Sequence, residues 1–256
     1  MNSSSFRLSS SGLSDIGLVR TNNEDVFLIL KERGFFALAD GMGGHNAGEV
    51  AAAEAMRFLG TSIEELFLFS KKKWNIFELS SFNRLCIENV NSWVHYLGKR
   101  REACQGMGTT LCTLFFYERF LIYGHVGDSR IYLFRNGHLE QLTEDHSLKS
   151  QMIAQGYVKH SFSQRSLSKN TLTRAIGTHN EVDVEIHVTP VTHDDVYLMC
   201  TDGLTDQVSD EEIEVILQNS SSLEHLSDTL VKRANGGGGQ DNVTVLMVKA
   251  EGEEGT

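Results

Sequence analysis

Four aspartates stand at the edges of apolar runs, and the chemistry open to this chain follows from them. Asp40 ends the run Phe35-Phe36-Ala37-Leu38-Ala39 and opens Asp40-Gly41-Met42-Gly43-Gly44, while Val196-Tyr197-Leu198-Met199-Cys200 runs into Thr201-Asp202-Gly203. Asp128 lies in Gly127-Asp128-Ser129-Arg130, and Asp241 stands just before the apolar run 243–248. Short apolar runs of this kind read as buried strands. An acid at the end of such a strand sits beside a core and needs a cation or hydrogen-bond donors to offset its desolvation. Carboxylate oxygens are the ligands magnesium and manganese prefer, and a glycine beside the acid lets a backbone carbonyl approach the ion. One Asp-Gly alone is ordinary turn chemistry. A set of them at strand ends is better explained by a site for hard metal ions.

The elements that position these acids follow from period and turn signals. Residues 26–30 and 35–39 read as an antiparallel pair turned by Glu32-Arg33-Gly34. Ala51, Ala55, Phe58 and Leu59, and later Phe82, Cys86, Val90, Trp93 and Leu97, recur at helical spacing. Between them residues 66–69 have no clear period, and Lys71-Lys72-Lys73 reads as a solvated helix end or loop. Strands are expected at 109–116, 120–126, 131–134 and 139–142, the last two joined across Asn136-Gly137, a strong hairpin signal. A short helix at 147–155 leads into a polar, Ser-rich stretch at 156–170, the candidate for a flap over about 146–171. Strands return at 182–188 and 196–200. A helix follows with Ser209 and Glu212 at capping-box spacing, then another at 223–234, a glycine run at 236–239 and a last strand at 243–248.

Strands joined mostly by turns, with helices arriving in pairs, exclude an alternating βαβ pattern. The expected fold is α+β: a four-layer αββα sandwich in which two central antiparallel sheets are flanked by helices, with the acid-bearing strand ends at one edge. The chain has 256 residues, 40% of them hydrophobic, enough for a sizeable core without an interdomain linker. Its net charge of -11 argues against nucleic acid, so a phosphate group would have to be met by local cations. Residues 1–14, rich in Ser, read as a loose end that is neither signal peptide nor membrane anchor. A flexible segment is expected over 1–11, a single domain over 12–249 and an acidic tail over 250–256. Cys86, Cys104, Cys112 and Cys200 show no metal or disulfide spacing and read as reduced core thiols, which suits a cytoplasmic protein.

With these acids in view, the chain resembles the type 2C, or PPM, family of metal-dependent protein phosphatases. The resemblance covers residues 12–248. It rests on motifs that occur in the family's order: Arg20-Thr21-Asn22-Asn23-Glu24-Asp25, the Asp40 motif, Gly106-Met107-Gly108-Thr109-Thr110, Gly127-Asp128-Ser129-Arg130, Leu172-Thr173-Arg174-Ala175-Ile176-Gly177, Thr201-Asp202-Gly203-Leu204-Thr205-Asp206 and Gln240-Asp241-Asn242. The Gly-Met-Gly-Gly form is similar to the bacterial branch.

The resemblance implies a site with two Mn2+ or Mg2+ ions. Asp40 would bridge them, Asp202 and Asp241 would hold the first, and Glu24 with the Gly41 carbonyl would complete the second. Asp128, Asp202 and Asp206 match a third, weaker site found in bacterial members, and Arg20 matches the phosphate-binding arginine, whose planar fork suits phosphate oxygens. The implied reaction is hydrolysis of phosphoserine and phosphothreonine by in-line attack of a hydroxide bridging two ions about 3.5 to 4 Å apart. Arg20 and the ions would stabilise the phosphoryl charge.

Two departures from the family bear on mechanism and substrate. Animal members carry a His two residues after the bridging Asp, where this chain has Met42. The proton for the leaving alkoxide would then come from a metal-bound water or from His45. The stretch 156–170 lacks the acidic, proline-containing segment common in bacterial relatives. The expected partners are phosphorylated proteins, namely Ser/Thr kinases and their targets, and the chain is expected to be a monomer. Two other readings compete: a regulatory binding module that keeps the fold without turnover, and a phosphohydrolase for small phosphorylated metabolites.

Overall fold

Apolar side chains in the middle strands divide between two faces. In β3 (Phe35–Met42), Phe35, Ala37 and Ala39 join one buried cluster and Phe36 and Leu38 another, the alternation that a pleated strand imposes. In β10 (Val196–Cys200) and β11 (Val243–Gly252), Tyr197, Met199, Leu246 and Val248 face the same inner cluster as Phe36. Leu198, Cys200, Val245 and Met247 face a third cluster on the other side. A strand apolar on both faces must be covered on both. Two sheets therefore stack, and each carries helices on its outer face.

The computed structural model describes residues 5–43, 47–69, 73–157, 171–219 and 221–252. One antiparallel sheet runs in the order β2 (Asp25–Leu30), β3, β5 (Leu111–Tyr117), β6 (Phe120–Val126) and β9 (Glu185–Pro190), with β4 (Gly108–Thr109) paired to β3. The other runs β1 (Phe6–Asp15), β11, β10, β7 (Arg130–Arg135) and β8 (His138–Gln141). Helices α1 (Ala47–Phe69) and α2 (Ile76–Arg100) cover the first sheet through Ala51, Ala55, Leu59 and Ile63, and through Leu79, Cys86, Val90 and Leu97. After the short α3 (Leu148–Ala154) and α4 (Asp202–Thr205), helices α5 (Asp210–Gln218) and α6 (Leu223–Gly236) cover the second sheet with Ile213, Leu217, Leu230 and Ala234. The result is the expected αββα sandwich. Phe36, Phe116 and Tyr197 meet edge to face between the sheets, and each such side chain contributes about 3 kcal/mol by leaving water.

The helix ends follow the rules for unpaired backbone groups. Ser209 and Glu212 form the expected capping box at the start of α5, and Asn75 and Glu78 form a second at α2. Ser147 caps α3 by accepting from the Ser150 N–H.

Several expectations are corrected. The Ser-rich start is not loose from residue 6 onward: β1 pairs along its whole length with β11, Phe6 opposite Gly252 and Asp15 opposite Val243. Backbone hydrogen bonds rather than an apolar period hold this edge strand, and of its residues only Leu8 is fully buried. The same pairing places residues 250–252 in β11 instead of an acidic tail, and residue 12 falls inside a strand rather than at a boundary. Residues 66–69 complete α1. The strand expected at 182–188 is observed as Glu185–Pro190, with Val182 and Val184 packed on the core ahead of it. Lys73 is exposed and pairs with Glu118 at 2.7 Å, while Lys71 and Lys72 lie outside the described residues. Most of the expected flap, residues 158–170, also lies outside them.

Candidate active site

Three strand ends bring the acids together. The register of β2 and β3 sets Asp25 opposite Asp40. Asp202 opens α4 directly after β10, and Asp241 precedes β11, the neighbour of β10. Asp128 lies in the tight connection from β6 to β7. Asp40, Asp128, Asp202 and Asp241, together with Arg20, Glu24, Gly41 and Met42, line one cavity of about 220 Å³, with Asp25 behind Asp40. Asp206 does not line it, but follows α4 and raises the pKa of both Asp202 and Asp128 through its charge.

The backbone at Asp40 is pinned from two sides. Its N–H donates to Thr110 Oγ1 at 2.9 Å and its carbonyl accepts from Thr109 Oγ1 at 2.8 Å and the Thr110 N–H at 2.8 Å. Thr110 Oγ1 in turn shares a 2.7 Å hydrogen bond with Ser129 Oγ. Gly41 is required by close approach: a Cβ there would stand 2.2 Å from the Gly48 carbonyl oxygen. Its N–H donates to the Glu24 carbonyl at 3.1 Å, which ties two expected ligands to each other.

Electrostatically the cavity is an uncompensated cluster of like charge. Burial pushes Asp40 well above the usual carboxylate range, and Asp25, Asp202, Asp128 and Asp241 push it further. Asp202 is raised well above that range by burial and then by Asp128, Asp206 and Asp241. Asp128 is pushed up to about 6 by burial and Asp145, and Asp25 to about 6 chiefly by burial. Glu24 is raised by burial, against the pull of Arg20. Arg20 is the cation at the rim, donating from Nη2 to Asp241 Oδ2 at 2.7 Å. Partial burial opposes its charge, and the bond to Asp241 outweighs that and holds its pKa above the ordinary value.

A family profile described as Protein phosphatase 2C matches residues 4–243. The chain belongs to the protein phosphatase 2C family. It is 37% identical over 238 residues to the serine/threonine phosphatase stp of Listeria welshimeri, covering 92% of this chain and 93% of the relative. It is 35% identical over 245 residues to the protein phosphatase PhpP of Streptococcus pneumoniae, covering 94% and 97%. Among solved structures, the Mycobacterium tuberculosis serine/threonine phosphatase PstP/Ppp superposes with a TM-score of 0.86 at 34% identity, covering 95% of this chain and 99% of that one. The PstP catalytic domain in complex with two manganese ions superposes at 0.82 and 34% identity, covering 95% and 98%.

The residues of this phosphatase 2C chain fit divalent cations. Besides Arg20, the charged side chains lining the cavity are all carboxylates, hard oxygen donors. Asp40 and Asp202 among them are raised first by burial and then by the charge of neighbouring carboxylates, a deficit of positive charge that a bound cation would offset. Asp25 adds to that deficit: it is 6% exposed, accepts from Thr201 Oγ1 on Oδ2 at 3.0 Å and leaves Oδ1 buried without a hydrogen-bond partner.

Residues that sequence reasoning left without a role also shape the site. Asp25, Thr110 and Asn242 were visible only as members of motifs, and Leu172 lines the cavity from the arm after the flap segment. Met42 lines it where animal members have a His, and its thioether has no proton to give. His45, the other candidate, lies outside the described residues.

Two neighbouring features do not join this chemistry. A recess of about 640 Å³ opens beside α3 and α5, but its Arg130 and Asp145 are already paired at 2.8 Å in bidentate fashion. His125, His146 and Glu185 stand close enough to hold a metal. Arg174 fills the cation's place there, donating to Glu185 Oε1 at 2.8 Å, and the Gly127 N–H donates to His146 Nδ1. That leaves the proton of neutral His146 on Nε2, directed to Glu185 at 3.1 Å.

Proposed function

We propose that this chain is a metal-dependent protein serine/threonine phosphatase in which Asp40, Asp202, Asp241, Glu24 and the Gly41 carbonyl hold two divalent ions, manganese or magnesium. The observation that carries this reading is the convergence of Asp40, Asp202 and Asp241, from three separate strand ends, on one cavity with the Arg20 guanidinium at its rim. Asp128, Asp202 and Asp206 form a third, weaker site; the charge of Asp206 acting on both Asp202 and Asp128, and that of Asp128 on Asp202, supports that grouping. The substrates are phosphoproteins, including Ser/Thr kinases and their targets, and the relatives named as serine/threonine phosphatases support that class.

Held by Asp40, Asp202, Asp241 and Glu24, divalent ions would supply Lewis acidity here, offsetting negative charge on phosphoryl oxygens and lowering the pKa of water. Arg20 binds the phosphate: Asp241 fixes one edge of its guanidinium, and the remaining N–H groups of a side chain 51% exposed stay open to phosphate oxygens. Thr109 and Thr110 hold the Asp40 backbone so that its carboxylate does not swing when charge changes in the cavity. Asp25 stands behind Asp40 and adds negative charge without lining the cavity itself.

We place the protein in the cytoplasm as a monomer. Its four cysteines are all buried free thiols, and no helix among the described residues is long and apolar enough to cross a membrane. The metal assignment is tested by titrating manganese into the wild-type protein, Asp202→Asn and Asp206→Asn by calorimetry. Loss of tight binding in Asp202→Asn with tight binding kept in Asp206→Asn supports the assignment; equal binding by all three contradicts it.

A further inference from the structure

We propose that a basic recess at the C-terminal end of α2 docks a second anionic group of the phosphoprotein substrate, a phosphate or an acidic side chain, while the first phosphate occupies the acid-lined cavity. The proposal rests on the phosphatase reading above and adds a substrate determinant to it.

The recess has a volume of about 530 Å³ and presents Lys99, Arg100 and Arg101. Its inner wall is His95, held by an Nδ1–H bond to the Gly177 carbonyl at 2.9 Å, together with Met107 and Thr178. Three consecutive cations stand here in a protein whose net charge is -11. Many of the arginines elsewhere are neutralised in place: Arg20, Arg33, Arg57, Arg130, Arg135 and Arg233 each lie within ion-pair distance of a carboxylate, while Arg84 donates to the Val184 carbonyl. Among the described residues no such ion pair involves Lys99, Arg100 or Arg101. Arg100 rests over the Tyr96 ring at 5.4 Å, and Arg101 reaches Glu54 only as a longer-range charge. Among the described residues Glu102 is the one acid that lines the recess beside three cations, so the local balance there is positive.

The helix dipole favours cations in the last turn of α2 and accounts for part of this placement. It does not account for Arg101, which caps the helix outside that turn, nor for a hollow between the cations and the 177–178 segment. Position gives the recess its function. Met107, in its wall, immediately precedes β4, and β4 pairs Gly108 with Met42 and Thr109 with Gly41. One short strand pair thus links the wall of the recess, at Met107, to Gly41 and Met42 of the acid-lined cavity. An extended peptide advances roughly 3.3 Å per residue, so the second anion is placed on the same substrate chain, a few residues from the phosphorylated one.

The test compares phosphothreonine peptides carrying Thr, Glu or a hydrolysis-resistant phosphonate at each position from two to six residues before or after the phosphothreonine. Each is assayed with wild-type protein and with Lys99→Gln/Arg100→Gln/Arg101→Gln, with p-nitrophenyl phosphate as a substrate too small to reach the recess. The wild-type KM is expected to fall on the order of tenfold when an anion is added, the scale for losing or gaining a few exposed charge contacts. The variant is expected to lose that preference with kcat, and with p-nitrophenyl phosphate turnover unchanged. A gain with the phosphonate alone assigns the recess to phosphate, and equal gains with Glu assign it to any anion. Arg101→Gln alone, which leaves the last helical turn intact, gives the same comparison if the triple variant melts early. A wild-type KM indifferent to the added anion, or a folded variant that keeps the preference, overturns the proposal. Failure of the wild type to hydrolyse any phosphopeptide overturns instead the phosphatase reading on which it rests.

Discussion

Asn242 accepts the Glu24 backbone N–H on its Oδ1 at 2.8 Å, so the residue next to one expected metal ligand holds another in place. Its Nδ2 donates to the carbonyls of Asn22 at 2.9 Å and Ile16 at 3.0 Å. One side chain thus closes both ends of the loop that carries Arg20. Asn242→Ala leaves these groups without partners, at about 1–3 kcal/mol for each that stays buried. It is expected to lower kcat/KM on the order of tenfold or more and to weaken manganese binding. Kinetics and calorimetry check this, and an unchanged kcat/KM in a folded variant contradicts it.

Arg20 and Asp241 share a charge-assisted bond, which gives Arg20→Lys a signature of its own. The ammonium keeps the charge but loses the fork that grips two phosphate oxygens. KM for a phosphopeptide is expected to rise on the order of tenfold. Manganese affinity is not expected to weaken, because a competing cation on Asp241 becomes looser. Weaker manganese binding would show that Arg20 supports the ligands rather than the substrate.

Metal removal exposes the strain of the buried acids. Asp25 has a folded pKa of about 6, above its ordinary 3.8, so in chelator the folded state binds more protons than the unfolded chain between these values. The penalty of its charge is absent below pH 3.8 and grows as pH rises through 6. Asp25→Asn is therefore expected to raise the melting temperature in EDTA at pH 7, and to raise it less at pH 5. A melting temperature lowered equally at both values would show that the lost hydrogen bond to Thr201 outweighs the charge.

His146 runs in the opposite direction. Burial, and then the charges of His125 and Arg174, depress its pKa to about 4, so the unfolded chain takes up a proton first and stability falls as pH drops from 6.5 toward 4. His146→Gln is expected to flatten the acid limb of stability measured by denaturant titration. An unchanged slope would place the acid sensitivity elsewhere.

Gly203 leaves no room for a side chain, since a Cβ would stand 1.9 Å from the Asn242 carbonyl oxygen. Gly203→Ala must shift α4, which begins at Asp202, and is expected to cost about 3 kcal/mol together with metal affinity. Thermal melting with and without manganese reads both effects.

How much of this was legible in the sequence depended on what carried the signal. Asp40, Asp202 and Asp241 follow or precede runs apolar on both faces, so a composition signal marks the strand and the acid marks its end. The roles of Asp25 and Asn242 depend on register and on contacts between distant segments, which no local pattern encodes. β1 escapes a pattern reading because it is an edge strand with a run of small residues, Ser9-Ser10-Ser11-Gly12, held by backbone pairing with β11. Val182 and Val184 misplaced the start of β9 for the converse reason: they are apolar because they pack on the core, not because they pair. The basic recess joins α2 to the 177–178 segment and likewise appears only in three dimensions.

The central claim is that carboxylates gathered in one cavity hold the metal that this phosphatase needs. Its most direct test is phosphate release from a phosphothreonine peptide with manganese, with manganese plus excess EDTA, and with Asp202→Asn. The account predicts turnover with manganese that is abolished by the chelator and by the substitution, in a variant that remains folded. Turnover that persists in EDTA, or in Asp202→Asn at the wild-type rate, would contradict it.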